Sequence, residues 1–244
     1  MRKYFKPFLL VAATYLLATP LATAQNSTYH TLRDLESWTS AKLKYQFSKK
    51  LDFGIEEQLR LKDDAKNVDQ YFTEITVGYD ITKHLGIGLG GRYIKQNDNV
   101  GKIQGYENHF RWNADLAYKH KIDRFDLKYR VRYQNKDELQ IIKAQGDTAK
   151  HTIRLKVGSD YNIKRWKLDP EVAAELFNRL NNSEGFYRMR FTLGTTYKFK
   201  KAGDLGAFYR IEKELQGDYR KTTNIIGVQY QYTLKRKNKR EAEH

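Results

Sequence analysis

Residues 124–134 read RFDLKYRVRYQ. Phe125, Leu127, Tyr129, Val131 and Tyr133 alternate with Asp126, Lys128, Arg130, Arg132 and Gln134. Strict period-2 alternation over this length marks a β-strand with two unlike faces. One face is apolar and aromatic and the other is charged, so the strand separates two environments. Which face meets water decides the fold.

The alternation recurs along nearly the whole chain. Leu43, Tyr45 and Phe47 carry it first, and Phe53, Ile55, Leu59 and Leu61 next. Tyr71–Ile81 makes a third run, and residues 85–95 a fourth with a Gly86/Gly88/Gly90 file on its polar face. Tyr106–Lys119 is the fifth and the opening stretch the sixth. Further runs cover residues 153–161, 166–176, 186–199, 205–212 and 226–234. The links alternate as well. Short ones fall near 48–50, 82–84, 120–124, 162–165 and 200–204, and longer polar ones near 63–69, 96–105, 135–147, 178–185 and 213–220. Short turns at one end and longer loops at the other describe an up-and-down meander.

A soluble barrel or sandwich and a membrane barrel share this pattern with opposite faces in water. Strands in soluble domains run about 5–6 residues and membrane-spanning strands about 9–11, and most runs here reach nine or more. Tyr106 and Tyr118 bracket the apolar face of one strand; at about 3.3 Å per residue and a tilt near 45° they stand roughly 28 Å apart along a membrane normal. Tyr187 with Tyr197 or Phe199 is expected to repeat that spacing. The fold expected is all-β, a single up-and-down antiparallel transmembrane β-barrel. Eleven runs conflict with the even strand numbers of bacterial single-chain barrels. Twelve strands are therefore expected, the extra one short and within residues 27–35, with ten as the alternative. Glu57 falls on the apolar parity, and Pro170 predicts a bulge or a late strand start.

The N-terminus reads as an export signal: Arg2, Lys3 and Lys6, then FLLVAATYLLA, then Ala22-Thr23-Ala24. Residues 1–24 are assigned to it and 25–34 to an N-terminal segment. The barrel is expected over 35–234 and a basic tail over 235–244. The predicted location is the outer membrane of a Gram-negative bacterium. Residues 1–24 hold three basic and no acidic residues, so their removal takes the net charge from +16 to +13. Export argues against nucleic acid as the partner of this basic chain. With no cysteine there is neither a disulfide nor a thiolate metal site.

Three stretches carry a resemblance: SWTSAKLKYQFSKKLDFGIEEQLRL (37–61), QYFTEITVGYDITKHLGIGLGGRYI (70–94) and NIIGVQYQY (224–232). Together they resemble a family of Gram-negative outer-membrane barrels catalogued only as a domain of unknown function, over nearly all of 35–234. The resemblance implies fold and location and carries no activity or site. Gly227, Tyr230 and Tyr232 are similar to the strand signal read by the barrel-assembly machinery, although Ile225 stands where that signal has a polar residue. Outer-membrane lipid and that machinery are the expected partners; the sequence names no soluble one.

The polar face carries the functional information. Arg60, Arg92 and Arg111, the triplet Lys128, Arg130 and Arg132, the pairs Arg154/Lys156 and Arg188/Arg190, and Arg210 are candidate pore-lining cations, interleaved with Glu107, His109 and Asp115. Lys42 and Lys44 share that face, as do the acids Asp52, Glu56, Glu74, Asp126, Asp169, Glu171, Glu175 and Glu212. Rings of Arg and Lys favour anion passage, so a small, weakly anion-selective pore for small or acidic solutes is one reading. A closed structural or surface-binding barrel, its charges paired across a narrow interior, is another. An enzyme acting on lipid is a third, and it has little to stand on: no histidine is followed two residues later by serine, and His109 is a lone candidate base. No catalytic residue, metal site or cofactor is assigned.

Overall fold

A computed structural model describes residues 30–98, 104–139, 149–164, 167–180, 185–199 and 202–236. The expected signal peptide, residues 25–29, Trp166 and residues 237–244 of the basic tail lie outside the described residues.

Eleven strands form the barrel: β1 (His30–Gln46), β2 (Leu51–Lys62), β3 (Asn67–Asp80), β4 (Leu85–Asp98), β5 (Gly105–Ile122), β6 (Phe125–Glu138), β7 (Lys150–Tyr161), β8 (Leu168–Arg179), β9 (Gly185–Phe199), β10 (Gly203–Glu214) and β11 (Tyr219–Lys235). Each pairs antiparallel with the next in sequence, and β1 pairs with β11 to close the ring. The expected twelve strands, and the alternative ten, are corrected to eleven among the described residues. An odd meander brings its first and last strands together pointing the same way, and here they join as a parallel ladder. It runs unbroken from His30↔Tyr219 to Gln46↔Lys235. Residues 30–35, read as an N-terminal segment or a separate short strand, are the start of β1 itself. Strands also continue past the apolar band, to Asp98 on β4, Glu138 on β6, Arg179 on β8 and Glu214 on β10, and so take up residues read as parts of the longer links.

Alternation in sequence becomes alternation across the wall. Leu43, Ile55, Ile75, Leu89, Leu116, Val131, Val157, Leu193 and Ile226 all point outward and are exposed. Aromatic residues mark both ends of that band. Tyr45, Phe53, Tyr79, Tyr118 and Phe125 lie toward the short turns, and Tyr71, Tyr93, Tyr106 and Tyr209 toward the longer loops, all exposed. Glu57 also points outward, opposite Ala41 and Thr73, and the Thr73 hydroxyl donates to its Oε1 at 2.6 Å.

Two local expectations change. The β8–β9 register shifts between Phe177 and Asn178, with Phe177 opposite Arg188 and Asn178 opposite Phe186. The shift leaves Tyr187 as an extra residue that turns inward to line the interior, and Phe186 takes the exposed position. Tyr187 therefore does not belong to the outer aromatic band; a bulge reverses side-chain parity. Pro170 causes no bulge, since it pairs with Thr195 in an unshifted ladder. The late start holds on one side: pairing with β7 begins only at Glu171, so the missing N–H interrupts nothing there.

Candidate functional site

The interior is closed along the β1–β11 seam by apolar packing. Trp38, Gly227 and Phe208 lie side by side on β1, β11 and β10. A Cβ at Gly227 would fall inside the Phe208 ring. Glycine is what lets the two aromatic rings meet edge to face across it, their centroids 6.5 Å apart. Ile225, with no exposed surface, completes the cluster, and the Trp38 indole N–H donates to Glu36 Oε2 at 2.8 Å. The residue that departs from the assembly signal is thus the apolar floor of the seam.

Around the rest of the wall the inward groups are ionic. Glu74 on β3 binds Arg92 on β4 and reaches Arg111 on β5 at 3.4 Å. Arg132 on β6 holds Asp115 on β5 with two bonds, Nε–Oδ1 at 2.6 Å and Nη2–Oδ2 at 2.7 Å. Glu175 on β8 is the hub. It takes Arg130 from β6 at 2.9 Å, Arg154 from β7 at 2.9 Å and Arg190 from β9 at 3.3 Å, with only 4% of its surface exposed. Glu212 on β10 takes Arg190 and, at 3.1 Å, Arg188. Charge-assisted, partly bidentate pairs of this kind are short and directional. Guanidinium groups also lie on aromatic faces: Arg92 is 3.4 Å from the Phe72 centroid, Arg60 3.6 Å from Trp38 and Arg210 3.6 Å from Phe208. The glycine file on β4 makes room for this belt, since a Cβ at Gly90 would stand 3.0 Å from the Asn113 amide.

These side chains enclose a central cavity of about 370 Å³ lined by eleven basic side chains and three carboxylates. All eleven stand on the polar face read from sequence: Lys42, Arg60, Arg92, Arg111, Arg130, Arg132, Arg154, Lys156, Arg188, Arg190 and Arg210. Asp115 stands behind Arg132. Lys128 lies apart from the cavity, paired with Asp160 beside the short turns. Glu107 and His109 sit at the long-loop mouth, where His109 Nε2 is 3.1 Å from Glu107 Oε2. Glu138, opposite His109 on β6, brings a third ligand atom within 4.8 Å of those two, a spacing that could hold a cation. Glu74, Glu175 and Glu212 turn inward, as their place on the polar parity requires; the inward aromatics Trp38, Phe72, Phe177 and Phe208 were not singled out from sequence. Each of those aromatics sits on the polar parity of its strand, and that breach of alternation is the signal that marks them.

No curated protein matches the chain. The family match runs over residues 35–223 and contains every basic side chain of the cavity. The chain belongs to the family described as "Protein of unknown function (DUF2490)".

Proposed function

We propose that this chain is an outer-membrane β-barrel of a Gram-negative bacterium, exported by a cleaved signal peptide, whose interior is a narrow pore favouring small anions. The membrane reading is supported by an exposed apolar face on every strand bounded by aromatic residues, far more than the few hundred Å² that soluble monomers tolerate. A closed barrel also leaves no free sheet edge, since each strand pairs with a neighbour on both sides, as hydrocarbon requires. Lipid is then the partner of the outer face, and the β11 strand with Gly227, Tyr230 and Tyr232 is what the assembly machinery reads. The observation that carries anion preference is the imbalance of the cavity wall, eleven cations against three carboxylates. We read the barrel as non-enzymatic, because the hydrogen-bond partner of His109 is Glu107 rather than a nucleophile.

A closed barrel is favoured by a separate observation: Trp38, Phe208 and Ile225 fill the seam side, and Glu175 ties four strands together across the rest. Single-channel recording of the refolded protein in planar bilayers separates the two. Discrete openings with a reversal potential on the anion side in a salt gradient support the pore. Silence from a demonstrably folded barrel supports the closed form.

A further inference from the structure

The belt of ion pairs is interrupted at one place. Carboxylates bridge neighbouring strands from β3 round to β10, but the inward residues of β11 that face the cavity region, Ile225, Gly227 and Gln229, carry no charge. On either side of that gap stand two cations that pair with no carboxylate among the described residues, Arg60 on β2 and Arg210 on β10. Both line the cavity. Arg60 and Arg210 both face Trp38, their guanidinium carbons 3.6 and 5.3 Å from its ring centroid, so the two lie no farther apart than the sum of those distances. Arg60 spends its Nε on Gln58 at 2.7 Å. The Nε of Arg210 is buried with no hydrogen-bond partner among the described residues.

Cations withdrawn from bulk water without a counter-charge are costly, and a bound anion removes that cost. Guanidinium forks match the paired oxygens of carboxylate and phosphate better than a spherical ion does. We propose that Arg60 and Arg210 form a binding site for a small multiply charged oxyanion, a phosphorylated or polycarboxylated solute, which completes the ionic belt at the seam. Trp38 is the platform that holds both guanidiniums apart from the aliphatic wall and aims them into the cavity. The site rests on the reading of the interior as open to solutes, and it selects among anions where the pore reading asks only for their sign.

The test uses the full-length protein refolded in detergent micelles, with pyrophosphate as the probe and chloride holding ionic strength constant. Saturable pyrophosphate binding to the folded state raises the unfolding midpoint. The expected result is such a rise in the wild type, absent in the Arg60→Gln/Arg210→Gln double variant. The Arg60→Lys/Arg210→Lys variant keeps the charge and loses the forks; it is expected to need at least about tenfold more pyrophosphate, a difference of about 1.4 kcal/mol. If the double Gln variant does not fold, the Lys variant decides alone. No saturable rise in the wild type, or a rise unchanged in the Lys variant, overturns the site. A rise with silent bilayers keeps the site and rejects the pore, whereas anion-selective openings without a rise do the reverse.

Discussion

Two stretches of the same wall are held closed by opposite chemistry. Along β10, β11 and β1 the interior is filled by Trp38, Phe208 and Ile225, with Gly227 making room between the rings. Along β5 to β9 it is filled by Asp115, Glu175 and the arginines they bind. The seam is also where the one parallel ladder lies, and parallel pairing is slightly weaker per residue. Apolar packing there needs no partner to be ionised. The ionic wall, by contrast, is sound only while every member is present, because a half-broken buried network leaves an uncompensated charge. The seam therefore acts as the mechanical closure, and the opposite wall sets the electrostatics.

Substitutions can break this contrast in graded fashion. Trp38→Ala removes the largest seam side chain and the platform under Arg60, and is expected to cost about 4 kcal/mol in urea unfolding of the refolded protein. Glu175→Gln strands Arg130 and Arg154 while Arg190 keeps Glu212; a loss of about 3 kcal/mol is expected, together with stronger anion preference in any current that flows. Gly227→Ala forces the Phe208 ring to move, and overpacking of this kind costs about 2 kcal/mol; Phe208→Leu in the same chain should recover part of it. No loss from Glu175→Gln, which keeps the shape of the hub and removes its charge, would show that the ionic wall contributes by shape and not by charge. The smallest effect belongs to the outer face. Glu57→Leu exchanges a carboxylate for an alkyl group on the apolar band and is expected to stabilise the barrel in lipid vesicles by about 1 kcal/mol. The same change in detergent-free buffer carries no such gain.

Much of the wall was readable in advance because a strand writes its two faces into alternate residues. The eleven arginines and lysines of the cavity were found that way, and so were the outward Tyr106 and Tyr118. Three things were not readable. The closing ladder was missed because pairing direction between chain ends leaves no mark in local pattern; only the odd number of runs hinted at it. Tyr187 was misplaced because a bulge shifts parity by one residue, and nothing in GFYRMR distinguishes the bulged residue from its neighbours. Which acid meets which base was not readable, because Glu175 meets Arg190 through register, Glu175↔Arg190, and not through sequence distance. The inward aromatics were visible as exceptions: Phe72, Phe177 and Phe208 each fall where a polar residue is due.

The question posed by RFDLKYRVRYQ, which face meets lipid, is answered most directly by tryptophan quenching. Trp112 points outward and Trp38 inward. Two single-tryptophan proteins, Trp38→Phe/Trp166→Phe retaining Trp112 and Trp112→Phe/Trp166→Phe retaining Trp38, would be folded into vesicles whose acyl chains carry bromine. A lipid-facing outer band predicts strong quenching of Trp112 and none of Trp38. Equal emission of Trp112 in brominated and ordinary vesicles containing the folded, inserted protein would contradict it and place the apolar face against protein instead.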